Sequence, residues 1–143
     1  MTAIYLDASA LIAYFNKEDE FHESACEIID STELSLNLFT SDVTVLELQY
    51  VLWRKIGNEV AIEKTYGIME AEDICVLSTS TDDIFRELEI FKRYPMPSFD
   101  ALICAVMKRE GVEFLLSFDR RHFDAVDGIT RVESLTELKS KLR

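Results

Sequence analysis

Apolar positions along the chain switch repeatedly between a short unbroken run and a helical period. Residues 3–6 form an apolar run that stops at Asp7. Leu11, Ile12, Tyr14 and Phe15 follow at helical spacing, and Ser9 is placed to cap that helix. Phe21, Ala25, Ile28 and Ile29 keep the same period and predict a second helix over 19–30. Leu34, Leu36 and Leu38 alternate with polar residues, which predicts a strand over 34–39. Ser41 or Asp42 then opens a helix through Val45, Leu48, Leu52 and Ile56, ending at Gly57. A further helix covers 59–71, with Gly67 inside it, and residues 74–77 read as a short strand. The run Ser80-Thr81-Asp82-Asp83 starts a helix bearing Ile84, Leu88 and Phe91. Pro95 and Pro97 break the chain. Ser98 starts the helix of Ala101, Leu102, Ala105 and Val106, and Gly111 closes it. A strand over 113–117, a turn around 120–126, a strand near 129–132 and a terminal helix from Ser134 complete the pattern.

Strands alternate with helices throughout, and the strands are short and apolar on both faces. That combination predicts an α/β fold with a parallel sheet of four to five strands, covered on both sides. The chain has 143 residues, the size of one ordinary domain with a real core. No repeat or linker divides it, so 1–143 reads as a single domain. No apolar run approaches the roughly 20 residues needed to span a bilayer. No basic segment followed by a long apolar stretch opens the chain, so the expected location is the cytoplasm.

Charge narrows the function classes. The net charge is −12, from 15 basic and 27 acidic residues. This counts against a simple nucleic-acid-binding module, which would present a basic surface. Three cysteines, Cys26, Cys75 and Cys104, are widely spaced in apolar contexts and read as buried free thiols. No CxxC pair suggests zinc, and no glycine-rich loop suggests a nucleotide.

Four acidic residues stand where the chain changes direction. Asp7 ends the first apolar run and Asp119 follows the run Phe114-Leu115-Leu116-Ser117-Phe118. Glu47 lies early in one apolar helix and Asp100 in the first turn of another. Carboxylates at strand exits and helix starts can converge at the carboxyl edge of a parallel sheet, the usual place for a site in an open α/β fold. Two like charges at about 4 Å repel by roughly 4 kcal/mol at an effective dielectric of about 20. A bound cation is the simplest reason to hold four together, and hard oxygen ligands suit Mg²⁺ or Mn²⁺. Each acid taken alone also has an ordinary reading, as a turn or helix-start residue. Around them, Arg120 and Arg121 form a candidate basic rim, which Lys92, Arg93, Lys108 and Arg109 could extend. His22 reads as a solvent-facing helix residue, His122 as a surface or packing residue within reach of a phosphate, and Trp53 as core or interface.

These segments, in this order, resemble the PIN-domain nucleases, including the VapC-type toxins. YLDASALIAYF carries Asp7, SDVTVLELQYVL carries Glu47, PSFDALICAVMKREG carries Asp100, and FLLSFDRRHFDAV carries Asp119. The resemblance covers nearly the whole chain. It implies a three-layer α/β/α sandwich and Mg²⁺- or Mn²⁺-dependent cleavage of RNA, often by a homodimer, with a small antitoxin masking the site. The family's acids carry over onto Asp7, Glu47, Asp100 and Asp119. Ser9 matches a hydroxyl residue common near the first acid, and Ser117 one common before the last. The chain departs from the pattern at His122, where many members have a further acid. Asp124 stands at the wrong offset to replace it.

The rival readings lack their own residues. A receiver-like Mg²⁺-binding signalling domain needs adjacent acids at the first strand, but Leu6 precedes Asp7. A haloacid-dehalogenase-type phosphatase needs a second Asp two positions on, where Ser9 stands. A catalytically silent PIN-fold interaction module would not need all four acids.

Overall fold

Short parallel strands and longer helices alternate along residues 1–143 of the computed structural model. The elements are β1 (Thr2–Leu6), α1 (Ala8–Phe15), α2 (His22–Ile29), β2 (Leu36–Ser41), α3 (Asp42–Lys55), α4 (Asn58–Glu70) and β3 (Ile74–Leu77). They continue with α5 (Thr81–Arg93), α6 (Ser98–Glu110), β4 (Phe114–Leu116), a 3-10 turn (Phe123–Ala125), β5 (Thr130–Val132) and α7 (Leu135–Lys141). The sheet has five strands in the order β3-β2-β1-β4-β5. Every pairing is parallel.

Alternation along the strands sorts side chains into two cores. Ile4, Leu6, Leu38, Phe114, Leu116 and Val132 pack with residues of α1, α2, α3, α4 and α7. Tyr5 and Leu115 point the other way, into a cluster with Ile90, Ile103, Met107 and Phe123. The sheet is thus the middle layer of the expected α/β/α sandwich. Its apolar strands follow from burial on both faces.

The strand order positions the site. The chain moves outward from β1 through β2 to β3, then returns to the opposite side of β1 to place β4 and β5. The reversal falls between β1 and β4, and a crevice at the carboxyl ends of such a pair is where open α/β sheets bind ligands. Asp7 follows β1 directly, and Asp119 lies just beyond β4.

Local chemistry sets the start of α5 and the end of α6. Ser80 and Asp83 form a reciprocal capping box at the start of α5. Gly111, at φ 68°, takes the left-handed conformation that closes α6.

Several sequence expectations need correction. Asp7, not Ser9, caps α1: its side chain accepts the Ala10 amide at 2.9 Å. Ser9 is already inside the helix and its hydroxyl turns back to Asp7. The second helix starts at His22 rather than 19, because the Asp19 side chain takes the Phe21 amide in a preceding turn. The second strand runs over Leu36–Ser41 rather than 34–39, because its pairing with β1 starts at Thr2 opposite Leu36. Of the cysteines only Cys104 is buried. Cys26 is half-buried, and Cys75 is exposed on the edge strand β3, where one neighbour is missing. His22 is half-buried rather than solvent-facing, with Nδ1 2.8 Å from the Ala13 carbonyl. Trp53 is half exposed and belongs to no core.

Candidate metal centre

Asp7 is almost completely buried at the end of β1. Its Oδ1 accepts the Ser9 hydroxyl at 2.6 Å as well as the Ala10 amide. Ser9 Oγ in turn accepts the Phe118 amide at 2.9 Å. One hydroxyl therefore ties the end of β1 to the segment after β4. Ser117, fully buried, accepts the Asp119 amide at 3.1 Å and so shapes the turn that presents Asp119.

Glu47 reaches the site from α3, and a polar network beneath fixes the start of that helix. The buried Tyr5 hydroxyl lies 2.6 Å from Ser41 Oγ and 2.7 Å from Thr44 Oγ1. Thr40 donates to the Leu6 carbonyl at 2.9 Å. Asp42 accepts both the amide and the hydroxyl of Thr79, at 3.1 and 3.0 Å. Sequence reasoning passed over Tyr5, Thr40 and Thr44. The one available signal was a tyrosine in an otherwise aliphatic strand, matched by a Ser/Thr cluster over 40–44.

Electrostatics shows that the four acids share one place. Burial pushes Glu47 up to about 7, and the charges of Asp100 and Asp7 add to the rise with nothing opposing it. Burial likewise pushes Asp100 up to about 6, helped by Asp119 and Asp7; His122 and Arg121 oppose the rise. Asp7 is raised by burial and by Asp119, against the hydroxyls of Ser117 and Ser9 and the Ala10 amide. Asp119 is the exception. Its carboxyl is held below the usual range, chiefly by Arg121, which binds both its oxygens at 3.1 Å. The fold has thus gathered carboxylates that repel one another in a partly desolvated crevice. Asp100, Asp119 and His122 also offer ligand atoms that all lie within 4.8 Å of one another. A set of hard oxygens with one imidazole, short of positive charge, fits a divalent cation.

The basic residues are placed less uniformly. Arg121 sits on Asp119 at the site, while Arg120 turns to Glu133, at 2.6 and 3.1 Å. Both line a cleft of about 560 Å³ together with Ser9, Phe21, Phe118 and Asp119. Phe21 and Phe118 stack there with ring centroids 4.5 Å apart. Lys92, Arg93 and Arg109 are engaged in ion pairs with Glu89, Asp127 and Asp83. Lys108 packs beside Gly128.

A doubly covered parallel sheet with acids at its switch point defines an α/β domain whose candidate site lies at the carboxyl edge. The sequence profile of the PIN domain matches residues 4–129, and the chain belongs to the PIN domain family. It is 29% identical to ribonuclease VapC26 of Mycobacterium tuberculosis over 128 residues, covering 85% of this chain and 90% of that one. The structure of Mycobacterium tuberculosis VapC20, described as a sarcin-ricin loop cleaving toxin, superposes with a TM-score of 0.74. That match is at 24% identity and covers 82% of this chain and 91% of VapC20. The DNA-bound VapBC complex of Salmonella typhimurium superposes with a TM-score of 0.67 at 19% identity, covering 92% of this chain and 98% of the matched chain. The two structures share this chain's fold.

Proposed function

We propose that the protein is a divalent-metal-dependent endoribonuclease and the toxin of a toxin–antitoxin pair. One observation carries the reading: Asp100, Asp119 and His122 bring ligand atoms within 4.8 Å of one another beside the buried Asp7 at the carboxyl edge of the sheet, and Glu47 lies close enough to feel the charges of Asp100 and Asp7. The similarity to ribonuclease VapC26 supports RNA as the substrate. The folds shared with VapBC complexes support a small protein partner.

Asp7, Glu47, Asp100 and Asp119 would hold Mg²⁺ or Mn²⁺. Such an ion, when bound, neutralises charge on the phosphate and activates a water as the nucleophile. The rest is done by the chain itself. Ser9 and the Ala10 amide fix the Asp7 carboxylate, and the Tyr5 network fixes the helix that carries Glu47. Ser117 sets the turn of Asp119. Arg121, exposed at the rim, can exchange its partner Asp119 for a substrate phosphate, to which a guanidinium binds bidentately. Arg120 lies on the same rim. The acidic surface repels RNA at large, so productive approach is confined to this rim.

The partner reading follows from the same crevice. A basic side chain from an antitoxin, placed among the carboxylates, would relieve their repulsion and block the site. Self-association to a homodimer is supported by the apolar side chains that α3, α4 and α5 leave exposed.

The test is incubation of the purified protein with a set of RNAs in Mg²⁺, Mn²⁺ or EDTA. Cleavage should require the metal, and Asp7→Asn should lose most of it while remaining folded. Wild-type cleavage by that variant, or full activity in EDTA, would refute the assignment.

A further inference from the structure

We propose that His122 is a protein ligand of the metal, so that the site is a mixed nitrogen–oxygen site selecting transition metals over Mg²⁺. The proposal rests on the metal-site reading above and names a residue and a preference that the four carboxylates do not supply.

Geometry carries it. His122 immediately precedes the 3-10 turn Phe123–Ala125. The buried Phe123 and Val126 anchor this turn in the core cluster behind the crevice. That anchorage fixes the backbone on one side of His122, and Asp119 lies three residues earlier on the other. The result is one imidazole nitrogen and one oxygen from each of Asp100 and Asp119, all mutually within 4.8 Å. Ligands on opposite sides of a small divalent ion stand about 4.2 Å apart, twice a metal–oxygen distance of about 2.1 Å. Closing the triad onto an ion therefore needs only a small movement of side chains. All three residues are half-buried, which leaves room for water or a phosphate oxygen at the remaining positions.

Chemistry sets the preference. Mg²⁺ is best served by oxygen and keeps several waters, whereas imidazole suits Zn²⁺, Fe²⁺ and Ni²⁺. Replacing an oxygen by an imidazole nitrogen raises the affinity for Mn²⁺, Co²⁺ and Zn²⁺ relative to Mg²⁺. Arg121 is the competitor. It occupies both oxygens of Asp119, but its side chain is 78% exposed. An ion pair so exposed is screened by solvent and yields readily to a divalent cation.

The experiment uses full-length protein without RNA. Mn²⁺ binding is followed by the electron paramagnetic resonance of the free aqueous ion. Mg²⁺ binding is measured by competition, and pulsed measurements on bound Mn²⁺ look for coupling to a ligand nitrogen. The wild type should bind Mn²⁺ with a nitrogen coupling. His122→Ala should lose the coupling and bind Mn²⁺ at least roughly tenfold more weakly, even altered supporting residues costing about 10–100-fold in metal affinity. His122→Asp should keep an ion but lose the coupling and shift the Mn²⁺/Mg²⁺ ratio toward Mg²⁺. A wild-type site that binds Mn²⁺ without nitrogen coupling, or a His122→Ala variant with unchanged affinity, overturns the role of His122 and leaves the carboxylate site standing. No stoichiometric Mn²⁺ binding by the wild type overturns both.

Discussion

Ser9 donates its hydroxyl proton to Asp7 at 2.6 Å while its oxygen receives the amide of Phe118 at 2.9 Å. A single side chain on α1 thus orients the most buried carboxylate of the site and fastens β1 to the segment after β4 at their carboxyl ends. Ser9→Ala would leave a partly buried amide and a buried carboxylate each short of one partner, at a cost of about 1–3 kcal/mol. It would also push Asp7 further up. Denaturant unfolding at neutral pH should show that loss, and Ser9→Thr, which keeps the hydroxyl, should recover part of it.

The metal-free protein should become more stable as the pH falls from about 7 toward 5. Glu47 is raised from 4.5 to about 7 and Asp100 from 3.8 to about 6. A carboxyl raised on folding is strained when ionised, so it weakens the fold above its folded pKa. That penalty disappears as the pH drops to the unfolded value. Asp83, Asp119 and Glu133 are lowered on folding and act in the opposite sense, but only below about pH 4. Melting temperatures in EDTA followed from about pH 3 to 8 should therefore rise, pass a maximum and fall. In Glu47→Gln the rise between pH 7 and 5 should shrink.

The ion pairs around Asp83 should behave as structure and not as chemistry. Asp83 is fully buried, completes the capping box of α5 and pairs with both Arg86 and Arg109. Arg109 also donates to the Ser78 carbonyl at 3.2 Å. Asp83→Ala leaves the Ser80 cap but removes the return half of the capping box and the shared partner of two partly exposed cations, a loss on the order of 2 kcal/mol. Its Mn²⁺ affinity should match the wild type. Calorimetric metal titration below the variant's melting temperature would show the difference.

Three apolar stripes at helical spacing stay exposed: Leu46, Tyr50 and Trp53 on α3, Ile62, Tyr66 and Met69 on α4, and Ile84, Leu88 and Phe91 on α5. Patches of this kind mark interfaces. Light scattering at micromolar concentration should give twice the chain mass of 16.5 kDa. Paired Lys substitutions on the stripe that forms the contact should return the monomer.

Expression in a host without a partner should slow growth, and Asp100→Asn should relieve the effect at matched protein levels. Equal growth of both strains would contradict the toxin reading.

The layers and nearly all elements were legible because burial on both faces writes unbroken apolar runs, and helices write a clear 3.6 period. β3, α5 and α6 fall where Ile74, Ser80 and Ser98 announce them. What stayed hidden was decided by partners distant in sequence. Ser9 looks like a cap until the strand direction hands that role to Asp7. Register against β1 moved the second strand. Tyr5, Ser41 and Thr44 meet across 36 and 39 positions of the chain. The four carboxylates are proposed from the order of their motifs, but the burial they share and the place of His122 beside Asp100 and Asp119 follow from the crossing between β1 and β4.

The most direct test of one shared metal site compares wild type and Asp7→Asn by thermal melting in EDTA and in Mn²⁺. Asn keeps the cap to the Ala10 amide and removes the buried charge. In EDTA the variant should be at least as stable as the wild type. Mn²⁺ at a hundredfold excess over Kd should stabilise the wild type by about 2.7 kcal/mol and the variant by clearly less. A destabilised variant together with a wild type that does not respond to metal would contradict the account.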